Sequence, residues 1–129
     1  MLRDYEIHSE WIEVNERAIE KLQKARSEGG QILCVGTTSL RTIESVYREN
    51  QWKQAYRGTT RLYLYPGQEI HACDALLTNF HLPKSSLLVL VAALSGLNAI
   101  QEIYSAALKQ SYRLFSFGDC MLLPNRSRL

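Results

Sequence analysis

Long hydrophobic runs, paired cysteines and a large excess of one charge are all missing from this chain of 129 residues. The longest apolar run covers residues 87–94, whereas a helix that crosses a membrane needs about 20 apolar residues. Residues 1–10 include several acids and no apolar stretch, which is not typical of a signal peptide. We therefore expect a soluble protein without a membrane partner, in which residues 87–94 form a buried helix.

The cysteines and histidines lack the spacing of a disulfide framework or a metal site. Cys34, Cys73 and Cys120 are odd in number, and each lies in an apolar run, where a free thiol behaves as a small hydrophobic group. We expect a reducing, cytoplasmic environment and no bound metal.

The net charge of +2 is too small to indicate a nucleic-acid-binding protein by itself. A local basic patch stays possible, because the arrangement of charges matters more than their sum. Arg57, Arg61, Arg126 and Arg128 are candidates for such a patch, but ordinary surface charges are the preferred explanation for each of them.

The first half of the chain alternates strand and helix patterns. Residues 5–14 alternate as in a strand, and Asn15 can cap a helix that ends at residues 29–30. The unbroken apolar run 31–35 predicts a strand buried on both faces of a parallel sheet. A second helix should follow residues 36–39, with Leu40, Ile43, Val46 and Tyr47 on its inner face.

The second half is harder to interpret. Residues 50–58 are polar and predict a loop, 61–65 alternate as in a strand, and Pro66 with Gly67 predicts a turn. Residues 69–77 fit either a strand or a strand that breaks into a loop. Helices are expected from Pro83 to about residue 94 and after a cap at Asn98. A strand over 112–117 and a short pairing segment over 120–123 complete the pattern.

These elements, five or six strands and four helices, predict a layered α/β sheet with flanking helices. Residues 1–129 would then form a single α/β domain or a fragment of one. Neither an internal repeat nor a low-complexity segment is visible.

The turn at residues 36–41 is the first candidate site. It lies between a buried strand and a helix, where unpaired backbone N–H groups favour a carboxylate or phosphate. Thr37, Thr38 and Ser39 add hydroxyl groups, although the spacing of a P-loop is absent. On spacing alone, an ordinary turn with a Ser or Thr cap is the preferred interpretation.

Residues 74–85 are the second candidate, a polar loop that leads into a buried helix. His81 can transfer protons near neutral pH. The alternative is that these polar groups only bond the loop backbone and cap the helix. The polar residues of the segment are Asp74, Thr78, Asn79, His81, Lys84 and Ser85.

Three further pairs are ambiguous. His8 and Glu10 share one face of the first strand, and His71 lies near Asp74 in the sequence. Arg41 and Glu44, three residues apart, could form an ion pair on the outer face of the second helix. A half-exposed surface explains the two histidine pairs as well as a site does, and a solvated helix face is the preferred explanation for Arg41 and Glu44.

Five segments, in this order, resemble the S-adenosylmethionine:tRNA ribosyltransferase-isomerase family: residues 8–11, 35–45, 64–67, 74–85 and 112–119. The stretch Asn79-Phe80-His81-Leu82-Pro83 is especially specific. Members of the family are more than twice as long, so this chain resembles their C-terminal portion. The resemblance implies part of a larger α/β domain, with the inserted β-barrel domain of the family absent from this chain.

The resemblance also implies a reaction. S-adenosylmethionine would donate its ribosyl group to 7-aminomethyl-7-deazaguanine at the wobble position of tRNA, giving epoxyqueuosine and releasing adenine and methionine. The chain would supply only part of the site. The missing N-terminal part of the enzyme, or self-association, would complete the structure. The competing hypothesis is a fragment that binds a nucleotide or tRNA without catalysis.

The roles of individual residues follow from the resemblance. Proton transfer is assigned first to His81, with Asp74 and the pair His8 and Glu10 as further acid or base candidates. Thr37 and Thr38, with the helix N-terminus behind them and help from Arg41, would hold the methionine carboxylate or a phosphate. The remaining substrate-binding candidates are Ser39, Glu44, Thr78, Asn79 and Asp119.

Overall fold

The computed structural model describes residues 8–115 and 117–129, and these form an α/β structure. The number of elements within the described residues agrees with the sequence prediction. In chain order they are β1 (Glu10–Val14), α1 (Glu16–Ser27), β2 (Leu33–Val35), α2 (Thr37–Asn50), β3 (Tyr56–Thr60), β4 (Ala75–Asn79), α3 (Ser86–Ser95), α4 (Leu97–Lys109) and β5 (Cys120–Pro124).

The sheet that contains β2 is mixed and has three strands in the order β2-β4-β5. β2 runs parallel to β4, and β5 is antiparallel to β4. One face carries the buried side chains of Cys34, Leu76 and Leu123. Helices α2 and α3 contact strands of this sheet and enclose the core.

The prediction that the β2 segment is buried on both faces is wrong. Its side chains alternate, with Cys34 buried but Leu33 53% and Val35 63% exposed. The apolar run 31–35 therefore corresponds to a strand with one buried face and one apolar face that is exposed in the described structure. The part of the prediction that concerned pairing is confirmed, because β2 is parallel to its neighbour.

A two-stranded antiparallel sheet joins β1 to β3. Residues 10–14 confirm the predicted first strand, and the part of that prediction covering residues 5–7 lies outside the described residues. β3 begins within the predicted loop 50–58 and extends two residues beyond it, and the predicted strand 61–65 is irregular. The polar β3 sequence pairs with a strand more than 40 residues away in the chain, which its local pattern does not reveal.

The helix boundaries follow the capping groups. The Asn15 side chain accepts a hydrogen bond from the N–H of Ala18 at 2.9 Å, as predicted. α3 begins three residues after Pro83, because Ser85 is the residue whose side chain accepts from the Leu88 N–H. α4 begins at Leu97 after Gly96, not after Asn98, since Gly96 at φ 97° allows the turn between the two helices.

The segment before β5 also differs from the prediction. No strand is found over residues 112–115 or at 117, because the backbone N–H of Arg113 donates to the carboxylate of Asp119 rather than to a neighbouring strand. The predicted short pairing segment is confirmed as β5.

α3 is largely buried, as expected from its composition. Among the described residues, no single helix is long and apolar enough to cross a membrane, and α3 with α4 meet that criterion only together, across a bend of 114°.

Candidate active-site cleft

An open cleft of about 700 Å3 lies where the parallel strands β2 and β4 end. The carboxyl ends of such strands are a common place for ligands in α/β sheets. The volume falls within the range of about 300–1,000 Å3 that is usual for small-molecule sites. Three parts of the chain line it: residues 35–38, residues 77–82 with Ser85 and Leu87, and Phe115, Gly118 and Cys120.

The first wall is the beginning of α2. Gly36 occupies the N-cap position at φ 89°, a conformation that favours glycine, and no side chain caps the helix. The alternative of a Ser or Thr cap is therefore wrong. Thr37 and Thr38 line the cleft, whereas the Ser39 hydroxyl donates to the carbonyl of Val35 at 3.0 Å. The uncapped first turn offers backbone N–H groups and a positive dipole end to an anion.

His81 forms the opposite wall, immediately after β4. Its Nε2 lies 3.2 Å from the hydroxyl of Thr78, and its backbone N–H donates to the hydroxyl of Tyr104 at 2.6 Å. Burial lowers the pKa of His81 and so favours the neutral ring. A neutral imidazole carries one donor and one acceptor nitrogen, which suits it for proton transfer.

The end of β4 contributes two more polar residues. Thr78 is buried and points towards His81, while Asn79 is exposed and lines the cleft. β4 occupies Ala75–Asn79, so the predicted polar loop 74–85 is a strand followed by a shorter loop. Because β4 lies between them, Asp74 and His81 are at opposite ends of a strand.

Asp74 therefore lies at the other end of β4. Its Oδ2 accepts the backbone N–H of Ile32 at 2.7 Å, and its Oδ1 accepts Nε of Arg128 at 2.8 Å. Burial opposes ionisation, but these two bonds together hold the pKa of Asp74 below its usual value. The structure does not bring Asp74 to the cleft, and its carboxylate joins the beginning of β4 to the chain terminus instead. His71, its predicted neighbour, stacks on Tyr47.

The predicted surface pair of Arg41 and Glu44 is wrong. Glu44 is fully buried, and its carboxylate accepts the backbone N–H groups of His71 and Ala72 and Nε of Arg48. It does not line the cleft. The three-residue spacing between Arg41 and Glu44 predicted that both lie on the outer face of the helix. The bonding partners of Glu44, His71 and Ala72, are 27 and 28 residues away in the chain, so local spacing could not reveal them.

Arg41 pairs instead with Glu10 of β1, with Nη1 at 2.9 Å from the carboxylate. The Arg41 side chain is only 12% exposed, and its Nε and Nη2 atoms are buried without a hydrogen-bond partner. His8 is exposed just before β1. None of these three residues lines the cleft, so the structure does not bring the predicted reserve acid–base pair, His8 and Glu10, into it.

Asp119 lies beside the cleft between two residues that line it. Its carboxylate accepts the Arg113 N–H, and this bond lowers the pKa of Asp119. Two residues of the candidate site, Phe115 and Tyr104, were not predicted from the sequence. Phe115 lines the cleft at φ 60°, and Tyr104 supports His81 from α4. Phe115 was hidden because its segment was interpreted as a strand.

Within residues 8–115 and 117–129, no group of three or more His, Cys, Asp or Glu side chains is placed to hold a metal ion. The polar groups in the cleft are hydroxyl, amide, imidazole and backbone N–H groups. Such groups can hydrogen-bond a sugar or a base edge, hold an anion and transfer a proton.

The relatives of this chain carry a common name. The S-adenosylmethionine:tRNA ribosyltransferase-isomerase of Cupriavidus metallidurans is 44% identical over 127 residues, covering 98% of this chain and 36% of the relative. The enzyme of the same name from Natranaerobius thermophilus is 42% identical over 124 residues, again covering 36% of the relative. This chain thus spans little more than a third of the length of these curated relatives.

A solved structure has the same fold. The crystal structure of S-adenosylmethionine tRNA ribosyltransferase from Thermotoga maritima matches with a TM-score of 0.83 and 46% identity, over 87% of this chain and 39% of that one. The family model described as queuosine biosynthesis protein matches residues 1–123. With nearly the whole sequence matched, this chain belongs to the queuosine biosynthesis protein family.

Proposed function

We propose that this chain supplies part of the active site of an S-adenosylmethionine:tRNA ribosyltransferase-isomerase. The observation that carries the proposal is the meeting of two separate sequence motifs in one cleft. Thr37 and Thr38 come from one motif, and Thr78, Asn79 and His81 come from the other. Their chemistry matches what the names of the relatives require, a site for a charged nucleoside-containing substrate.

The proposed substrates are S-adenosylmethionine, as ribosyl donor, and tRNA with 7-aminomethyl-7-deazaguanine at the wobble position. Loss of a proton next to the sulfonium would allow adenine to leave. The amine of the base would then attack the unsaturated sulfonium, and ring closure would expel methionine and leave an epoxycyclopentanediol. No metal is required for these steps.

His81 is the group best placed for proton transfer. Burial favours its neutral form, and the Thr78 hydroxyl lies at hydrogen-bond distance from its Nε2 and helps to orient the ring. Thr37 and Thr38, with the uncapped N–H groups of α2, would hold the methionine carboxylate. Asn79 would hydrogen-bond a ribose hydroxyl or a purine edge. Positioning of this kind supplies much of the rate acceleration in a reaction between two bound molecules.

Asp74 and Glu44 receive no role in this proposal, because both carboxylates bond protein groups away from the cleft. Arg41 keeps a supporting role. It belongs to α2, the helix whose first residues line the cleft, and two of its guanidinium nitrogens are buried without a hydrogen-bond partner although Nη1 is paired with Glu10.

The chain would correspond to the C-terminal part of the family enzyme, as one α/β domain or a fragment of one, and would work in the cytoplasm. The test is an assay on tRNA that carries 7-aminomethyl-7-deazaguanine, with S-adenosylmethionine added and the product nucleoside detected by mass spectrometry. The chain and the intact Cupriavidus relative are compared. We expect product from the intact relative and from the chain only once the rest of the site is supplied.

A second candidate, a fragment that binds a nucleotide or tRNA without catalysis, is favoured by the short length relative to the family. Binding of S-adenosylmethionine or tRNA without product, even when the remainder of the family polypeptide is present, would support this alternative and contradict the first proposal.

A further inference from the structure

The segment between α4 and β5 brings one phenyl ring, that of Phe115, to the cleft. Phe115 is half-buried, and its φ of 60° lies in the left-handed region, which bulky residues rarely adopt. The Phe117 N–H donates to the carbonyl of Leu114 at 3.3 Å across this position. The bond from the Arg113 N–H to the Asp119 carboxylate holds the two ends of the segment together. Strain that surrounding bonds impose in this way tends to occur at functional sites.

Phe115 differs from the other phenylalanine that lines the cleft. Phe80 is buried, and its ring packs edge-on against Tyr104 and Tyr112 at centroid distances of 5.2 and 6.1 Å. Within residues 8–115 and 117–129, the ring of Phe115 forms no aromatic pair. Phe80 is thus part of the core, whereas the Phe115 ring presents apolar surface to an open cleft.

The groups around Phe115 match the chemistry of a nucleobase. Leu82 also lines the cleft and is 60% exposed, which adds a second accessible apolar side chain. The exposed amide of Asn79 lines the cleft and makes no hydrogen bond within the described part of the chain. An amide offers both a donor and an acceptor. A base has flat faces that stack on aromatic rings and an edge that bonds such an amide.

We propose that Phe115 is the side chain on which a purine-type base stacks in the cleft, with Leu82 as a further apolar contact and Asn79 at the edge of the base. This inference rests on the proposed function, which supplies two such bases. One is the adenine of S-adenosylmethionine, and the other is the 7-aminomethyl-7-deazaguanine of tRNA. Both have the flat faces that stacking requires, so the experiment distinguishes between them.

A purely structural role for the ring predicts a different effect on stability. Glycine adopts a φ of 60° without steric cost, so Phe115→Gly relieves the strain while it removes the ring. If the ring serves a ligand, the urea midpoint of this variant should not fall below that of wild type. If the ring holds the fold, the midpoint should fall.

The test measures binding of adenosine and of 7-aminomethyl-7-deazaguanine to the full 129-residue chain by NMR titration. Phe115→Ala removes the ring, Phe115→Leu keeps apolar volume without it, and Phe115→Trp restores an aromatic face. All three share the backbone strain of the wild type, because none of them is glycine. Phe117→Ala is the matched control, since Phe117 belongs to the same segment, is 71% exposed and does not line the cleft.

We expect wild type, Phe115→Trp and Phe117→Ala to bind at least one of the two bases with similar affinity. Phe115→Ala, Phe115→Leu and Phe115→Gly should weaken that binding by roughly tenfold or more, as for loss of a stacking ring. Weaker binding of adenosine assigns the ring to S-adenosylmethionine, and weaker binding of the deazaguanine assigns it to the tRNA base. Either result supports the proposal.

Three results would overturn the stacking proposal. The first is a wild-type chain that binds neither base. The second is unchanged binding in Phe115→Ala or Phe115→Leu, because the aromatic face would then be dispensable. The third is a urea midpoint of Phe115→Gly well below that of wild type, because the ring would then be structural.

Product formation in the mass-spectrometric assay keeps the two proposals separate. Base binding that depends on Phe115, without product even when the remainder of the family polypeptide is present, contradicts the proposed function alone. Product formed by Phe115→Ala with the kcat and KM of the unsubstituted chain contradicts the stacking proposal alone.

Discussion

At the beginning of β4, polar side chains bond protein groups, whereas at its end they line an open cleft. Glu44 and Asp74 accept backbone N–H groups there, and the Asn125 side chain donates to the carbonyls of Ile70 and Cys73 at 2.8 Å. Asn79 and His81, at the other end, line the cleft. The polar residues at the beginning of β4 thus stabilise the fold, whereas those at its end are available to a ligand in the cleft.

The difference arises from the backbone around each end. The chain from residue 70 to 74 enters the strand without regular pairing, so its N–H and C=O groups need side-chain partners. After residue 79 the chain turns away between β4 and α3 and leaves space above the strand ends. Substitutions at the two ends should therefore affect different properties, folding stability at one and turnover at the other.

The largest effect on stability is expected for Glu44→Ala. It leaves the buried N–H groups of His71 and Ala72 and the Arg48 guanidinium without their acceptor. We expect the free energy of unfolding to fall by about 3–5 kcal/mol, measured by urea denaturation. Glu44→Gln, which keeps one acceptor oxygen, should cost less, and Glu49→Ala on the exposed side of α2 is the control. A loss within the error of Glu49→Ala would show that the buried carboxylate is not structural.

Asp74→Asn should have an intermediate effect with a defined pH dependence. The substitution weakens the bonds to Ile32 and Arg128, and we expect a loss of about 1.5–3 kcal/mol at pH 7. The pKa of Asp74 is lowered in the folded state, so its contribution is fully present above the unfolded pKa of about 3.9. As pH falls through the lower folded-state pKa, that contribution disappears.

The measurement is a series of urea denaturation curves for wild type and Asp74→Asn, with Glu20→Gln on α1 as control. The difference between wild type and Asp74→Asn should shrink as the pH falls below about 4. A difference that stays constant with pH would show that ionised Asp74 contributes nothing to folding.

The smallest effect on stability is expected for Tyr104→Phe. It removes the hydroxyl that accepts the His81 N–H, at a cost of about 1 kcal/mol. Because this bond positions His81, turnover should fall with little change in KM. Tyr112→Phe is the matched control, since both tyrosines pack edge-on against Phe80. Equal turnover in the two variants would mean that Tyr104 does not position His81.

Local patterns in the sequence predicted the elements that local interactions determine. The Asn15 cap, the amphipathic faces of α1 and α2 and the parallel β2 strand could be recognised because their signals lie within a few residues. β3 and the position of Glu44 could not, since both depend on partners far away in the chain. Polar density singled out residues 74–85, but it did not distinguish Asp74, which bonds protein groups, from the residues that line the cleft.

The most direct test compares His81→Ala with Asp74→Asn in the preparation that yields product with the unsubstituted chain. We expect His81→Ala to lower the rate of product formation by at least about a hundredfold, as for loss of a group that transfers protons, while folding and tRNA binding are retained. Asp74→Asn, once folded, should keep turnover within a few fold. Retained turnover in His81→Ala, or an equal loss in folded Asp74→Asn, would contradict the division of roles between the two ends of β4.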